Sequence, residues 1–292
     1  ADSEGADFAV VSGLEAGGPT ATKTSLVLLQ ELLGQSALPV IVRGSLGPLG
    51  AAAACLAGAA GCILDTQLLL LDWSPIPDEL KARLTNVSPL DTKILGNLVG
   101  CPHRVLSLTG PSRLRELSAR EYEVFLEPAA AGEQQAAFRA LLGEDEIGFA
   151  ENSGLLPVGQ GICFAQEFAA ERLSLARVVA RYEQVVRETV DSVKRDFPLA
   201  KGSLLAREHG TEYPLVQGPM AGISDKPGLL QEVADNGAIP VLATTGLKPA
   251  GLTTAAAAAR AAVGEREFGV GIIGFAPAAE TEEKFQAVLN AA

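Results

Sequence analysis

The sequence predicts an α/β fold of parallel βα units joined by a helical linker. Three observations predict it. Short apolar runs that end in Gly-rich turns alternate with apolar residues at helical spacing, near both ends of the chain. The links between them are short and the run lengths suit parallel crossovers. Hydrophobic residues make up 48% of the 292 residues and aromatics only 5%, so Ala and Gly fill the closely packed layers of such a fold.

The elements follow in order. "DFAVVSG" (Asp7 to Gly13) is a short strand that ends in the turn "LEAGGP". "KTSLVLLQELLG" is a helix with Gly34 as its C-cap. "LPVIVRGSLG" is a β-branched strand with a second Gly-rich turn, "PLGAAAACLAGAA" a small-residue helix, and "GCILDTQLLL" a third strand. The middle differs: "DWSPIPDELKARL" and "GPSRLRELSAREYEVFLE" read as surface helices. Residues 168–197 form a long amphipathic stretch, a helix pair or a strut between domains. From Tyr213 the βα rhythm returns. "YPLVQG" is a strand, with Ser224 or Asp225 as the N-cap of the next helix; "AIPVLATTG" and "EFGVGIIGF" are strands, each followed by a helix.

Charge and cysteines exclude several functions. The net charge is −12, a phosphate backbone would be repelled, and no basic cluster interleaves with aromatics; nucleic acid is not an expected partner. "QLLLLDW" is too short to span a bilayer, so no membrane partner is expected. Cys55, Cys62, Cys101 and Cys163 form no CxxC pair and have no His at metal spacing, and the apolar neighbours "AACLAG" and "GCILD" read as those of buried free thiols. A reducing cytoplasm is the expected location. The chain starts without Met in a polar stretch, as an excised piece of a longer polypeptide would.

"QGPMAGIS", "DNGAIPVLATTG" and "FGVGIIGF" together resemble the first three strands of the nitronate monooxygenase family, which includes flavin-dependent enoyl reductases. "GADFAVVSGLEAGGP", "LPVIVRGSLG" and "GAAGCILDTQLLL" resemble the last three strands of the same TIM-barrel type fold, and "LLPVGQGICFA" the segment after it. Late strands thus precede early ones. That order resembles the tandem flavin-barrel modules at the start of some large bacterial type I polyketide synthases. It implies residues 1–165 as a late-strand half, 166–210 as a helical linker and 211–292 as an early-strand half. A circular permutation into one barrel is the alternative, but six strands are recognisable where a closed barrel needs eight.

The resemblance implies FMN, oxidoreductase chemistry, a small-molecule or acyl-thioester substrate, and other modules of a larger polypeptide as partners. Phosphate sites of such barrels lie at the C-terminal ends of the last strands, on Gly-rich turns. Gly44, Ser45 and Thr66 are the residues expected there, and Gln217, Gly218 and Met220 beside the flavin ring. Two departures stand out. Asp65 occupies a position where many family members have Gly, and a carboxylate near 4 Å from a phosphate costs on the order of 1–4 kcal/mol per charge pair. "EAGGP" lacks the His that usually continues this turn; His103, in a loop, and His209 lie elsewhere. Glu15 is the remaining candidate base, or else a group that binds turn N–H donors, with Lys23 near enough to pair with it. A catalytically silent structural or docking module is the second expectation. An incomplete barrel exposes sheet edges, so a homodimer is also expected.

Overall fold

The computed structural model describes residues 5–143, 147–150, 153–274 and 277–291. These divide into two compact units, 1–191 and 192–292, each described by itself.

The first unit opens with β1 (Ala9–Ser12), β2 (Gly18–Pro19) and α1 (Ser25–Leu33). Thr24 caps α1 by accepting the Val27 N–H, and Gly34 closes it as expected. β3 (Val40–Arg43), α2 (Pro48–Ala57) and β4 (Gly61–Ile63) follow. Pro48 starts α2, where its missing N–H costs nothing, and Gly58 ends it at φ 110°. The strands β1, β3 and β4 form one parallel sheet in that order, with Val11 beside Val42 and Val42 beside Cys62. Val11, Leu29, Val40, Val42 and Ala54 pack the sheet against its helices. The predicted βα units of residues 1–70 are therefore present. The third strand is shorter than expected, because Asp65 turns the chain into a 3-10 turn at Thr66–Leu68.

The two surface helices expected in the middle of the chain are present, and with them stand strands and a further helix that were not expected. α3 (Asp78–Leu84), β5 (Lys93–Leu95), β6 (His103–Ser107), α4 (Pro111–Leu126), α5 (Ala131–Gly143) and β7 (Leu155–Leu156) build a second, antiparallel layer. β6 is its centre and pairs with β2, β5 and β7. Strand alternation gives β6 two faces. Val105 joins Leu95, Leu117 and Phe138 under α4 and α5, and Leu106 joins Leu80, Leu84 and Ile162. α6 (Ile162–Ala170) and α7 (Leu175–Arg195) are a helix pair, one of the two forms expected for residues 168–197. Tyr182 of α7 donates its hydroxyl to the Leu46 carbonyl at 2.7 Å, and Phe168 packs edge-on to its ring.

The second unit holds α8 (Leu204–Glu208), α9 (Pro227–Asp235), β8 (Val241–Ala243), α10 (Pro249–Val263), β9 (Gly269–Gly271) and α11 (Ala278–Ala291). β8 and β9 are parallel, and the expected strand at Tyr213 is reduced to one parallel bridge, Val216 with Ile239. Leu230, Leu242, Ala256 and Ala259 form its core. The helix after the "QGPM" turn is capped at Lys226 rather than at Ser224 or Asp225; Ser224 is fully buried, its hydroxyl accepting the Met220 N–H at 2.8 Å. No closed barrel forms among the described residues. None of their helices is long and apolar enough to cross a membrane. All four cysteines are free, but where buried thiols were expected Cys55 is exposed and Cys62 only half-buried.

Candidate functional site

The C-terminal ends of β1, β3 and β4 are drawn together by the loop before α6. Ser45 follows β3 with φ 57°, a left-handed conformation that costs a side-chain-bearing residue about 1 kcal/mol. Its hydroxyl donates to the Glu15 carbonyl at 2.6 Å, and the Gln160 N–H donates to the same oxygen at 3.0 Å. At the end of β4 the Thr66 N–H donates to Asp65 Oδ1 at 2.6 Å, while Thr66 Oγ1 accepts the Gly159 N–H at 2.9 Å. Only a residue without Cβ fits at 159: a Cβ there would stand 2.7 Å from the Glu15 carbonyl oxygen. At Gly44 a Cβ would stand 1.6 Å from Ser25 Oγ, so this glycine admits the start of α1 to the turn.

The charges are paired inside the cluster. Arg43 Nη1 donates to Ser12 Oγ at 2.9 Å, and Nη2 donates to the Gly17 carbonyl at 2.5 Å. Nη2 also lies 2.8 Å from Asp65 Oδ2, which takes no hydrogen bond and is held by that ion pair. The Asp65 carboxylate is therefore compensated, and Arg43 is committed to its neighbours. Glu15 Oε2 accepts the Ser25 N–H at 3.1 Å and the Ser25 hydroxyl at 2.9 Å, so it serves the first turn of α1. Lys23 pairs with Glu31 and not with Glu15, because α1 carries Glu31 on the side Lys23 can reach.

Arg104 is the functional neighbour that sequence reasoning missed. It is buried, its Nε donates to the Leu14 carbonyl at 2.7 Å and its Nη1 to Thr92 Oγ1 at 2.9 Å. Burial pulls its pKa down, and the Glu15 carboxylate acts against that pull. The available signal was a cation inside the apolar run "HRVLS". His103 stands in β6 and not in a loop. Because Arg104 reaches the Leu14 turn, alternation turns His103 to the opposite face, with Val105; its Nδ1 lies 2.8 Å from the Cys101 carbonyl. His209 is the C-cap of α8.

Gly44, Ser45 and Thr66 come together in the first unit. Gln217, Gly218 and Met220 share one turn of the second. There Gln217 Oε1 accepts the Val241 N–H at 3.1 Å, and Met220 is exposed. The first cluster fits a phosphate in three respects. Thr66 accepts one hydrogen bond and keeps its own proton to donate. α2 begins with no side-chain cap, leaving N–H groups of its first turn without a helical partner. Of the two carboxylates near the strand ends, Asp65 is neutralised by Arg43, while Glu15, beside Gly44, is held by the N–H and hydroxyl of Ser25. The Ser45 hydroxyl already donates its hydrogen bond to the Glu15 carbonyl, so Ser45 would contribute through its main chain.

A family model described as nitronate monooxygenase matches residues 1–174. A dehydrogenase of Rhodococcus jostii, named as acting on a 5-hydroxy-7a-methyl-1-oxo-octahydro-indene-4-carboxyl-CoA, is 37% identical over 104 residues. That match covers 35% of this chain and 30% of the relative. The protein of the same name from Mycobacterium tuberculosis is 38% identical over 106 residues, with the same coverage. The chain thus spans under a third of the length of these curated relatives. Among solved structures, FabK from Thermotoga maritima superposes with a TM-score of 0.50 at 23% identity, over 66% of this chain and 58% of that one. It supports the TIM-barrel type of fold.

Proposed function

The chain belongs to the nitronate monooxygenase family, and from that premise we propose that it forms part of a flavin-dependent oxidoreductase holding FMN by its phosphate at the ends of β3 and β4. The observation that carries this reading is Thr66, whose hydroxyl is fixed by the Gly159 N–H and still has a proton to give. Thr66 donates to a phosphate oxygen, the first turn of α2 supplies main-chain donors, and the Gly44–Ser45 turn brings the backbone close. Arg43 keeps Asp65 from repelling the anion. Arg104 and Glu15 hold the turn between β1 and β2 in register, from below and from the α1 side. The second unit, taken by itself, carries Gln217, Gly218 and Met220 on a turn of the kind the family resemblance sets beside a flavin ring, with Met220 offering an exposed apolar contact. The bound flavin supplies the redox step, either oxidation of a nitronate with dioxygen or hydride transfer to an enoyl thioester.

The acyl-thioester alternative is favoured by the CoA thioester in the names of the two curated relatives. Residues 1–165, 166–210 and 211–292 then correspond to a late half-barrel, a linker and an early half-barrel of a polyketide synthase-like polypeptide in the cytoplasm.

The test is the visible absorbance of the purified protein before and after denaturation, followed by titration with FMN. About one FMN per chain, or saturable uptake that Thr66→Val weakens and Thr66→Ser retains, is expected. A colourless protein that takes up no FMN overturns the reading.

A second reading, a catalytically silent module, is favoured by one observation: the Glu15 carboxylate is occupied by Ser25 while His103 faces away from the strand ends. FMN bound without reduction by NADH or NADPH and without nitroalkane turnover would favour it.

A further inference from the structure

The second unit carries a groove that the flavin reading does not use. It has a volume of about 880 Å³ and is formed by residues 195–205, Arg207 and Pro214. Arg195, Lys201 and Arg207 line it against one carboxylate, Asp196. Counting Glu212, which pairs with Lys201, the groove keeps an excess of one cation in a chain of net charge −12. Between the cations lie Phe197, Leu199 and Leu205, which are 58%, 54% and 38% exposed. Large apolar side chains left open beside cations mark a binding surface. The Ser203 hydroxyl, also in the lining, is buried and has no hydrogen-bond partner. An unpaired buried hydroxyl is costly unless something reaches it.

The cations are only partly spent. Arg207 donates to the Gly202 carbonyl at 2.6 Å, which leaves further guanidinium N–H groups. Arg195 meets Asp196 at 3.5 Å, and both side chains are largely exposed. Lys201 pairs with Glu212 and lies 5.1 Å from the centre of the Tyr213 ring, so it is the most fixed of the three.

We propose that this groove binds a soluble amphiphilic anion of the acyl-CoA kind, with phosphates on Arg195, Lys201 and Arg207 and the acyl chain over Phe197, Leu199 and Leu205. Volume, concavity and a mixed lining suit one small molecule. Charge complementarity chooses the head, and the exposed apolar side chains choose the tail. The assignment is independent of whether flavin binds.

The experiment is calorimetric titration of the full chain with octanoyl-CoA, with CoA and octanoate as separate ligands. Octanoyl-CoA should bind at least about tenfold more tightly than either part. Two exposed positions avoid unfolding the chain. Arg195→Gln should weaken binding about threefold, and Leu199→Ser should remove most of the advantage of octanoyl-CoA over CoA. The proposal is overturned if octanoyl-CoA binds no better than CoA or octanoate, or if Arg195→Gln and Leu199→Ser bind like the parent. Circular dichroism of each variant establishes that it is folded.

Discussion

The guanidinium of Arg43 lies 2.8 Å from the carboxylate of Asp65, joining the ends of two adjacent parallel strands. The pair resolves a difficulty posed by the sequence, a carboxylate where an anion is expected. Both side chains are 24% exposed, so screening is incomplete but real. Arg43→Met should destabilise the fold by about 1–3 kcal/mol, because it strands Asp65 and the carbonyl of Gly17 together. Asp65→Asn should cost less, and the double variant should recover part of the loss. A denaturant double-mutant cycle measures the coupling; additive losses would show that the two groups act separately.

Thr66→Val removes the acceptor of the Gly159 N–H and leaves that donor buried. A loss of about 1–3 kcal/mol is expected from this alone. Thr66→Ser keeps the oxygen and should lie within about 1 kcal/mol of the parent. Urea midpoints at constant m-value decide it, and a silent Thr66→Val would mean the loop before α6 is not anchored there.

Gly44→Ala should be among the more damaging small substitutions in the first unit, since the new methyl meets Ser25 Oγ and the Cβ of Ser25 at 2.8 Å. A cost of about 1–3 kcal/mol follows from overpacking. Adding Ser25→Gly should recover part of it in thermal melts. An unperturbed Gly44→Ala protein would show that α1 moves freely away from the turn.

Thiol reactivity should separate the cysteines. Cys55 is exposed, whereas burial pushes the Cys62 and Cys101 thiols up in pKa, with Cys55 adding to the effect at Cys62. A raised pKa leaves less thiolate at a given pH, so Cys62 and Cys101 should lag behind Cys55 in alkylation near pH 8. Mass spectrometry of partly labelled protein reads the order directly. Raising the pH should narrow the gap as Cys62 and Cys101 begin to ionise.

The βα units were legible because strand and helix periodicities, prolines at helix starts and glycines at helix ends agree locally. Pro48, Gly58 and Pro227 mark their helices without help from tertiary contacts. Gly44, Ser45 and Thr66 were legible as strand-end turn residues for the same reason. The antiparallel layer was not. Its strands β5 and β7 are three and two residues long, too short to show alternation, and α4 and α5 look polar because only a narrow stripe around Leu117 and Phe138 is buried. Partner choice was also invisible. Nothing local tells that Glu15 binds Ser25, that Lys23 prefers Glu31, or that Arg104 lies under Leu14. The last of these depends on where the chain returns, 90 residues on, and the first two on how the turn before α1 is shaped.

The link from the Gly159 N–H to Thr66 closes a loop of 93 residues, and the one from Arg104 to Leu14 a loop of 90. Loop closure on that scale is entropically slow to nucleate, while the βα contacts of residues 9–63 are comparatively local. On the ribosome the strand ends would emerge and pair long before Gly159 is made. They would wait, open, through the synthesis of the whole antiparallel layer. The cluster at the strand ends is thus among the last parts of the first unit to mature, and the waiting intermediate is the species most exposed to misassembly.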